Sequence, residues 1–339
     1  MKLIRTEDAV GHVLCHDMTQ IIKDKYKDAR FRKGHVVTEE DIPVLLSMGK
    51  EHLYVWEMTP GMVHENDAAE RLLTLCGQEN MIRSGVKEGK IELTAACDGV
   101  FLVDSARLVA VNSQDEVMIA TRKGGMAVRE GDKLAGMRVI PLIIEEEKLR
   151  KAEQAAGDKP LLSLKPYVRK TACIVATGGE VKKGLIKDTF TPVVIDKLKT
   201  YGIETLEVVY SGDGVENVRD AVLAMREKKP DMILCTGGMS VDPDDNTPGG
   251  IKAAGANIIA YGAPVLPGAM FLLGYFDDGM PVMGLPGCVM YAGATVFDLV
   301  LPKIAADVPV TRADLAALGE GGLCLGCKPC HYPICPFGK

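Results

Sequence analysis

From residue 171 onward, apolar runs alternate with segments whose apolar positions recur every three or four residues. TACIVAT (171–177), IETLEVVY (203–210) and DMILCT (231–236) are rich in apolar and β-branched residues, as buried strands are. Between them, residues 191–200 end at Gly202, and in VRDAVLAMREKK (218–229) Val218, Val222, Leu223 and Met225 fall roughly on one helical face. Strand, crossover helix and strand in repetition predict an α/β domain: a mostly parallel sheet with helices on both faces. Ligands of such sheets sit at the carboxyl ends of the strands. The Gly-rich stretches after Thr177 and Thr236 fall at those ends.

The front of the chain has a different rhythm. KIELTAA, GVFLVD, ARLVAV, EVMIATR and RVIPLII, divided by Asp98-Gly99 and Lys123-Gly124-Gly125, predict short strands of a β-rich module between residues 85 and 144. Thr38 to Gly49 has the cap residues of a short helix, and 67–76 predicts another. EEEKLRKAEQAAG (145–157) suits an exposed connecting helix. The expected organisation is an N-terminal accessory α+β, β-rich region with linker helix (1–160), an α/β domain (161–310) and a Cys-rich tail (311–339). Residues 253–276 and 279–297 carry almost no charge, but Gly and Pro interrupt both, so buried loops and strands are expected rather than membrane spans.

Composition narrows the function classes. With 47% hydrophobic and 25% charged residues the chain is not a disordered one, and a formal charge of −6 argues against nucleic acid as a main partner. The first residues, MKLIRTEDAV, lack the pattern of a signal peptide, so a cytoplasmic location is expected. Thirty-six Gly against 5% aromatics points to many tight turns. Of ten Cys, six are scattered singly and four close the chain, which is not a disulfide framework.

The first Gly-rich loop, Ala176 to Thr189, pairs Gly178 and Gly179, carries Lys182, Lys183 and Lys187, and ends in Asp188-Thr189 ahead of a helix. Either a solvated, capped turn or an anion cradle accounts for it. The second loop, CTGGMSVDPDDNTPGG (235–250), places Asp242, Asp244 and Asp245 within four residues. Clustered carboxylates belong on a solvated turn or, beside a phosphate, around Mg²⁺.

ILCTGGMSVDPDDNTPGGI resembles the Thr-Gly-Gly … Asp-x-Thr-Pro signature of the molybdopterin-binding domain of molybdenum-cofactor biosynthesis proteins. ATGGEV…IKDT resembles the same family's first loop, and PVLPGAM…PVMGLPGCVMY resembles its Pro-Gly … Gly-Leu-Pro-Gly end in the molybdopterin molybdenumtransferases. The resemblance covers about residues 170–304, and FRKGHVVTEEDIPVLLSMG adds a weaker likeness to the transferases' accessory segment. It implies binding of molybdopterin or its adenylylated form, and molybdate insertion assisted by Mg²⁺. By position, Asp188 and Asp245 match acidic residues with metal or phosphate-activation roles. Thr177, Gly178, Gly179, Glu180, Lys182, Lys187, Thr236, Gly237, Gly238, Ser240, Asp242 and Thr247 match the two binding loops, and Gly284, Pro286 and Gly287 match the third motif.

Two departures temper the transferase reading. Cys288-Val-Met-Tyr291 follows Leu-Pro-Gly where Asn-Pro-x-Ser is usual, and the transferases' C-terminal β-domain is missing. A non-catalytic molybdopterin-binding sensor or cofactor-insertion partner is therefore an alternative, and a competence-damage-type pyridine-nucleotide hydrolase, which shares parts of the pattern, is another. A homo-oligomer or a molybdoenzyme partner is compatible with either. In the tail, Cys324, Cys327, Cys330 and Cys335 follow C-x2-C-x2-C-x4-C-P, one residue from a ferredoxin-type run, and suit an iron–sulfur cluster or Zn²⁺. The HVLCHD stretch (12–17) reads better as packing and surface than as a second metal site.

Overall fold

The computed structural model describes residues 2–22, 26–55, 61–240 and 245–339. The chain divides into two compact units, one of Met1–Cys97, Phe101–Gly124 and Arg129–Leu164, the other of Asp98–Val100, Gly125–Val128 and Lys165–Lys339.

The first unit is built from antiparallel pairs. Its largest sheet orders strands Met81–Arg83, Ile91–Ala95, Lys133–Val139 and Val117–Thr121, and in the second of these Ile91, Leu93 and Ala95 alternate inward. Lys2–Arg5 pairs with His52–Val55, and helix Asp41–Ser47 joins Leu14, Leu45, Leu53 and Val55 in a small core. The Thr38 backbone N–H and hydroxyl both donate to the Asp41 carboxylate at the start of that helix, 2.9 and 2.8 Å.

Two expectations for this unit are corrected. ARLVAV is not a strand: Ser105–Asn112 is a helix. Asp104 caps it, accepting the Arg107 backbone N–H at 3.1 Å and its Nε at 2.8 Å. The apolar run Leu108 to Val111 is too short to distinguish the two periods, and the cap decides. Nor is residue stretch 145–157 an exposed connector. Helix Glu146–Ala156 buries Leu149, Ala152 and Ala156, one stripe at helical spacing, and Arg71 clamps Glu153 with two bonds of 2.7 and 2.9 Å.

The second unit holds the expected α/β sheet. Its strands are β1 (Thr171–Thr177), β2 (Glu204–Ser211), β3 (Met232–Thr236), β4 (Asn257–Tyr261), β5 (Leu272–Tyr275) and β6 (Pro281–Leu285), ordered β2-β1-β3-β6-β5-β4. The first four in that order are parallel, and β5 and β4 complete the sheet antiparallel. Helices α1 (Phe190–Lys199), α2 (Val215–Arg226), α3 (Thr247–Ala253), α4 (Val296–Ala305) and α5 (Arg312–Ala317) complete the unit.

Alternation along the strands explains why both faces are covered. Ala172, Ile174, Met232, Leu234 and Met283 pack with Val194 and Leu198 of α1 and Phe297 and Val300 of α4. Their neighbours Cys173, Val175, Ile233, Cys235 and Val282 pack with Val218 and Val222 of α2 and Ile251 of α3. Strands buried on both sides carry the near-continuous apolar runs read from the sequence. Asp231 ties the start of β1 to the start of β3: its carboxylate accepts the Lys170 and Thr171 N–H groups and the Thr171 hydroxyl, 2.7 to 2.9 Å.

The low-charge stretches 253–276 and 279–297 form strands, turns and the beginning of α4, and among the described residues no helix is long and apolar enough to cross a membrane. The Cys-rich segment is part of the second unit. Thr311 and Asp314 form a reciprocal cap on α5, and Phe337 lies in the core with α4.

Candidate functional site

The topology marks one place in the second unit. From β1 the chain passes to β2 on one side, then returns to lay β3 on the other, so the order reverses between β1 and β3. Register aligns the strand ends there: Thr177 lies opposite Ser211, Ala176 opposite Thr236, and Thr236 opposite Leu285. Both Thr-Gly-Gly loops leave the sheet at this switch point, where the crevice of an open α/β sheet forms.

Three threonines and two glycines lock the two loops together. The Thr177 hydroxyl donates to the Thr236 carbonyl at 2.8 Å and lies 3.1 Å from the Thr247 hydroxyl, which donates to the Gly237 carbonyl at 2.8 Å. The Thr247 N–H closes the turn on the Gly238 carbonyl, 3.1 Å. Gly237 and Gly238 have φ of +80° and +58°, and a Cβ on them would meet the Thr177 carbonyl oxygen at 2.3 Å and the Thr247 hydroxyl at 2.6 Å. Side chains are excluded there by both conformation and space. Gly284 of β6 leaves room for Met239, whose sulfur would stand 2.5 Å from a Cβ there and would have to shift.

The first loop is looser. After Gly178, residues Gly179–Lys182 make a single helical turn whose Gly179 N–H donates to the Asp213 carboxylate at 3.0 Å. A carboxylate thus already occupies an amide of the kind an anionic ligand takes. Glu180, Lys182, Lys183 and Lys187 are exposed. Asp188 caps α1: one oxygen accepts the Phe190 and Thr191 N–H groups at 2.9 and 3.0 Å, the other the Tyr210 hydroxyl at 3.2 Å. Partial burial pushes its pKa up, but the bonds from Thr191, Phe190 and Tyr210 outweigh it and hold the carboxyl below its ordinary value.

Asp245 accepts the Ser240 N–H at 3.0 Å, and the Tyr261 hydroxyl donates to the Met239 carbonyl at 3.0 Å, so the far end of the second loop is also braced. Burial, then the Asp245 charge, raises the Tyr261 pKa. Asp242 lies outside the described residues. In the third motif Pro286 is buried and Gly287 exposed at the start of a 3₁₀ turn, Gly287–Met290. The Thr189 hydroxyl meets the Met290 sulfur at 3.1 Å, joining the first and third loops.

The structure therefore brings Thr177, Thr236, Gly237, Gly238 and Thr247 into direct contact, whereas Asp188 and Asp245 engage different partners. Among the described residues no group of three or more His, Cys, Asp or Glu side chains is placed to hold a metal ion as it stands. Sequence reasoning misses Tyr210, Asp213 and Tyr261. Ser211-Gly-Asp-Gly214 is the available signal, a third turn at the end of a parallel strand.

A mostly parallel sheet with two glycine loops leaving it at the switch point defines an open α/β domain whose crevice lies at those loops. Residues 173–306 match the family model described as "Probable molybdopterin binding domain". That segment is therefore similar to the molybdopterin-binding domains of molybdenum-cofactor biosynthesis proteins. Residues 3–57 match a family described only as a domain of unknown function. A CinA-like protein of Mycobacterium tuberculosis is 33% identical over 76 residues, which are 22% of this chain and 18% of that protein. A CinA-like protein of Petrotoga mobilis is 32% identical over 76 residues, 22% of this chain and 19% of that protein. The chain thus spans less than a fifth of the length of these curated relatives. Among solved structures, CinA from Thermoplasma acidophilum is 18% identical over 40% of this chain and 98% of its own, TM-score 0.34. The molybdopterin biosynthesis enzyme MoaB from Thermus thermophilus is 16% identical over 42% of this chain and 98% of its own, TM-score 0.36.

Proposed function

We propose that the second unit binds molybdopterin or its adenylylated form at the β1/β3 switch point and serves molybdate insertion in cofactor biosynthesis. The observation that carries this reading is the locked Thr177–Thr247–Gly237 platform, inside the segment that matches the pterin-binding family. The platform supplies fixed backbone, Lys182, Lys183 and Lys187 supply positive charge for a phosphate or molybdate oxyanion, and Ser240 and Gly287 border the same strand ends.

A Mg²⁺ ion bound with such a ligand would neutralise phosphate charge. Mg²⁺ commonly takes one or two carboxylates and completes its shell with ligand phosphate oxygens and water, so the lack of a ready-made protein cage among the described residues is compatible with it. Asp245 is the better candidate, because Asp188 has both oxygens engaged by α1 and Tyr210. Asp188 then acts by positioning the first loop.

The test is anaerobic titration with molybdopterin and with adenylylated molybdopterin, followed by molybdate. Binding of the adenylylated form with AMP release on adding molybdate is expected. Binding without release would instead select a sensor or insertion partner, and binding of neither form would overturn the pterin reading. The likeness to CinA-like proteins favours one second reading, a nucleotide hydrolase. Hydrolysis of pyridine nucleotides without pterin affinity would select it.

A further inference from the structure

The segment after α5 has neither helix nor strand apart from one bridge between Leu266 and Leu323, and it exposes Leu323 at 63%, Leu325 at 70% and Ile334 at 86%. Its path is nonetheless pinned. The Cys324 N–H donates to the Leu266 carbonyl at 2.8 Å, the Tyr332 hydroxyl to the Asp298 carbonyl at 3.0 Å, and the Gly338 N–H to the Gly321 carbonyl at 2.9 Å. Phe337 is 2% exposed. Between these pins Cys324, Cys327, Cys330 and Cys335, all free thiols, line one cavity of about 20 Å³ together with His331.

A loop with so little buried apolar surface needs a cross-link to hold one conformation. Four thiols clustered about one cavity offer it through a soft ion, and Zn²⁺ takes four thiolates without needing inorganic sulfide or a change of oxidation state. We propose that Cys324, Cys327, Cys330 and Cys335 bind one Zn²⁺ as a tetrathiolate. Four S–H bonds are replaced by four Zn–S bonds, and the four protons leave to solvent, with no change of oxidation state. As placed, the four thiols do not form a ready metal site, so binding requires the exposed Cys327 and Cys330 side chains to turn toward Cys324 and Cys335. His331 stays outside the ligand set.

The site would have a second effect within the unit. A Cβ on Gly293 would lie 2.8 Å from the Cys330 sulfur, and Ala294 lines the cavity. The Zn²⁺-bound knuckle therefore rests on the residues that close the third loop, and losing the ion would loosen Gly287 to Ala294. This inference is independent of the pterin reading.

The experiment is metal analysis of the full chain, purified anaerobically, with the visible spectrum of the Co²⁺-substituted protein. Colourless protein with about one zinc per chain, and a Co²⁺ spectrum of tetrahedral thiolate type, is expected. The double variant C327S/C330S should lose stoichiometric zinc while keeping its far-ultraviolet circular dichroism, and H331A should keep the zinc. If the double variant does not fold, mercurial titration of wild-type thiols replaces it and should release the zinc in step. Three results would each overturn the proposal: no stoichiometric zinc, brown protein with iron and sulfide, or zinc indifferent to both the double variant and the mercurial.

Discussion

The tripeptide Thr-Gly-Gly ends two adjacent parallel strands, at Thr177–Gly179 and at Thr236–Gly238, and the two copies are built differently. In the second, both glycines are left-handed and the space a Cβ would need is filled by the Thr177 backbone and the Thr247 hydroxyl. In the first, only Gly178 has a positive φ, +142°, nothing stands closer than 3.8 Å to a Cβ built on it, and the close neighbour of Gly179 is the tip of the Asp213 side chain at 2.7 Å. One loop is part of the sheet's packing, and the other is held at its glycines by the Gly178 N–H on the Ser211 carbonyl and the Gly179 N–H on the Asp213 carboxylate. Motif identity therefore does not imply equal rigidity, and the contrast suggests a fixed platform beside an adjustable flap.

The largest effect should come from Gly237→Ala. A left-handed alanine costs roughly 1–2 kcal/mol and overpacking about 1–3 kcal/mol more, so thermal or urea unfolding should show a loss of about 2–5 kcal/mol. Less than about 0.5 kcal/mol would mean the second loop shifts freely, and the contrast between the loops would fail.

Thr247→Val should come next. Thr247 is 1% exposed, and its hydroxyl serves the Gly237 carbonyl and the Thr177 hydroxyl. Valine keeps the shape and leaves the Gly237 carbonyl without this donor, while the Thr177 hydroxyl keeps its bond to the Thr236 carbonyl, a cost of about 1–3 kcal/mol in unfolding. A neutral result would show that the platform does not depend on its hydroxyl lock. The same residue shows how legibility divides. Its position beside the Gly pair is plain from the motif, but its side chain is directed to the loop's own backbone, a partnership that only the fold reveals. Strands β1 and β3 are readable because every residue of β3 is buried on one face or the other. ARLVAV is not, because its four-residue apolar run, Leu108 to Val111, fits either period, and the Leu149, Ala152 and Ala156 stripe is hidden among charges. Asp213 escapes notice because its partner, Gly179, lies on a different strand's loop.

Asp188 tests the first loop through pH. Its folded pKa lies below the ordinary 3.8, so its contribution is complete above the unfolded value and is lost as pH falls through the folded one. Asp188→Asn should cost about 1 kcal/mol near neutrality, since the amide oxygen still caps α1 without the charge. The gap from wild type should narrow as pH falls from about 5 toward 2. A gap that stays constant over that range would show that the charge does not carry the cap.

The smallest effect should come from Gly179→Ala, and its smallness is the informative part. Gly179 has an ordinary φ, so alanine brings no left-handed strain, and the obstacle is a side-chain oxygen that can rotate away. The change should cost less than about 1 kcal/mol in unfolding, because an exposed hydrogen bond is exchanged for one to water. If the first loop is a flap over an anion, moving Asp213 off the Gly179 N–H also frees that amide. Affinity for the ligand of the site, measured by the pterin titration above, should then hold or rise while stability falls slightly. A stability loss equal to that of Gly237→Ala would make the two loops equivalent, and the distinction between platform and flap would be wrong.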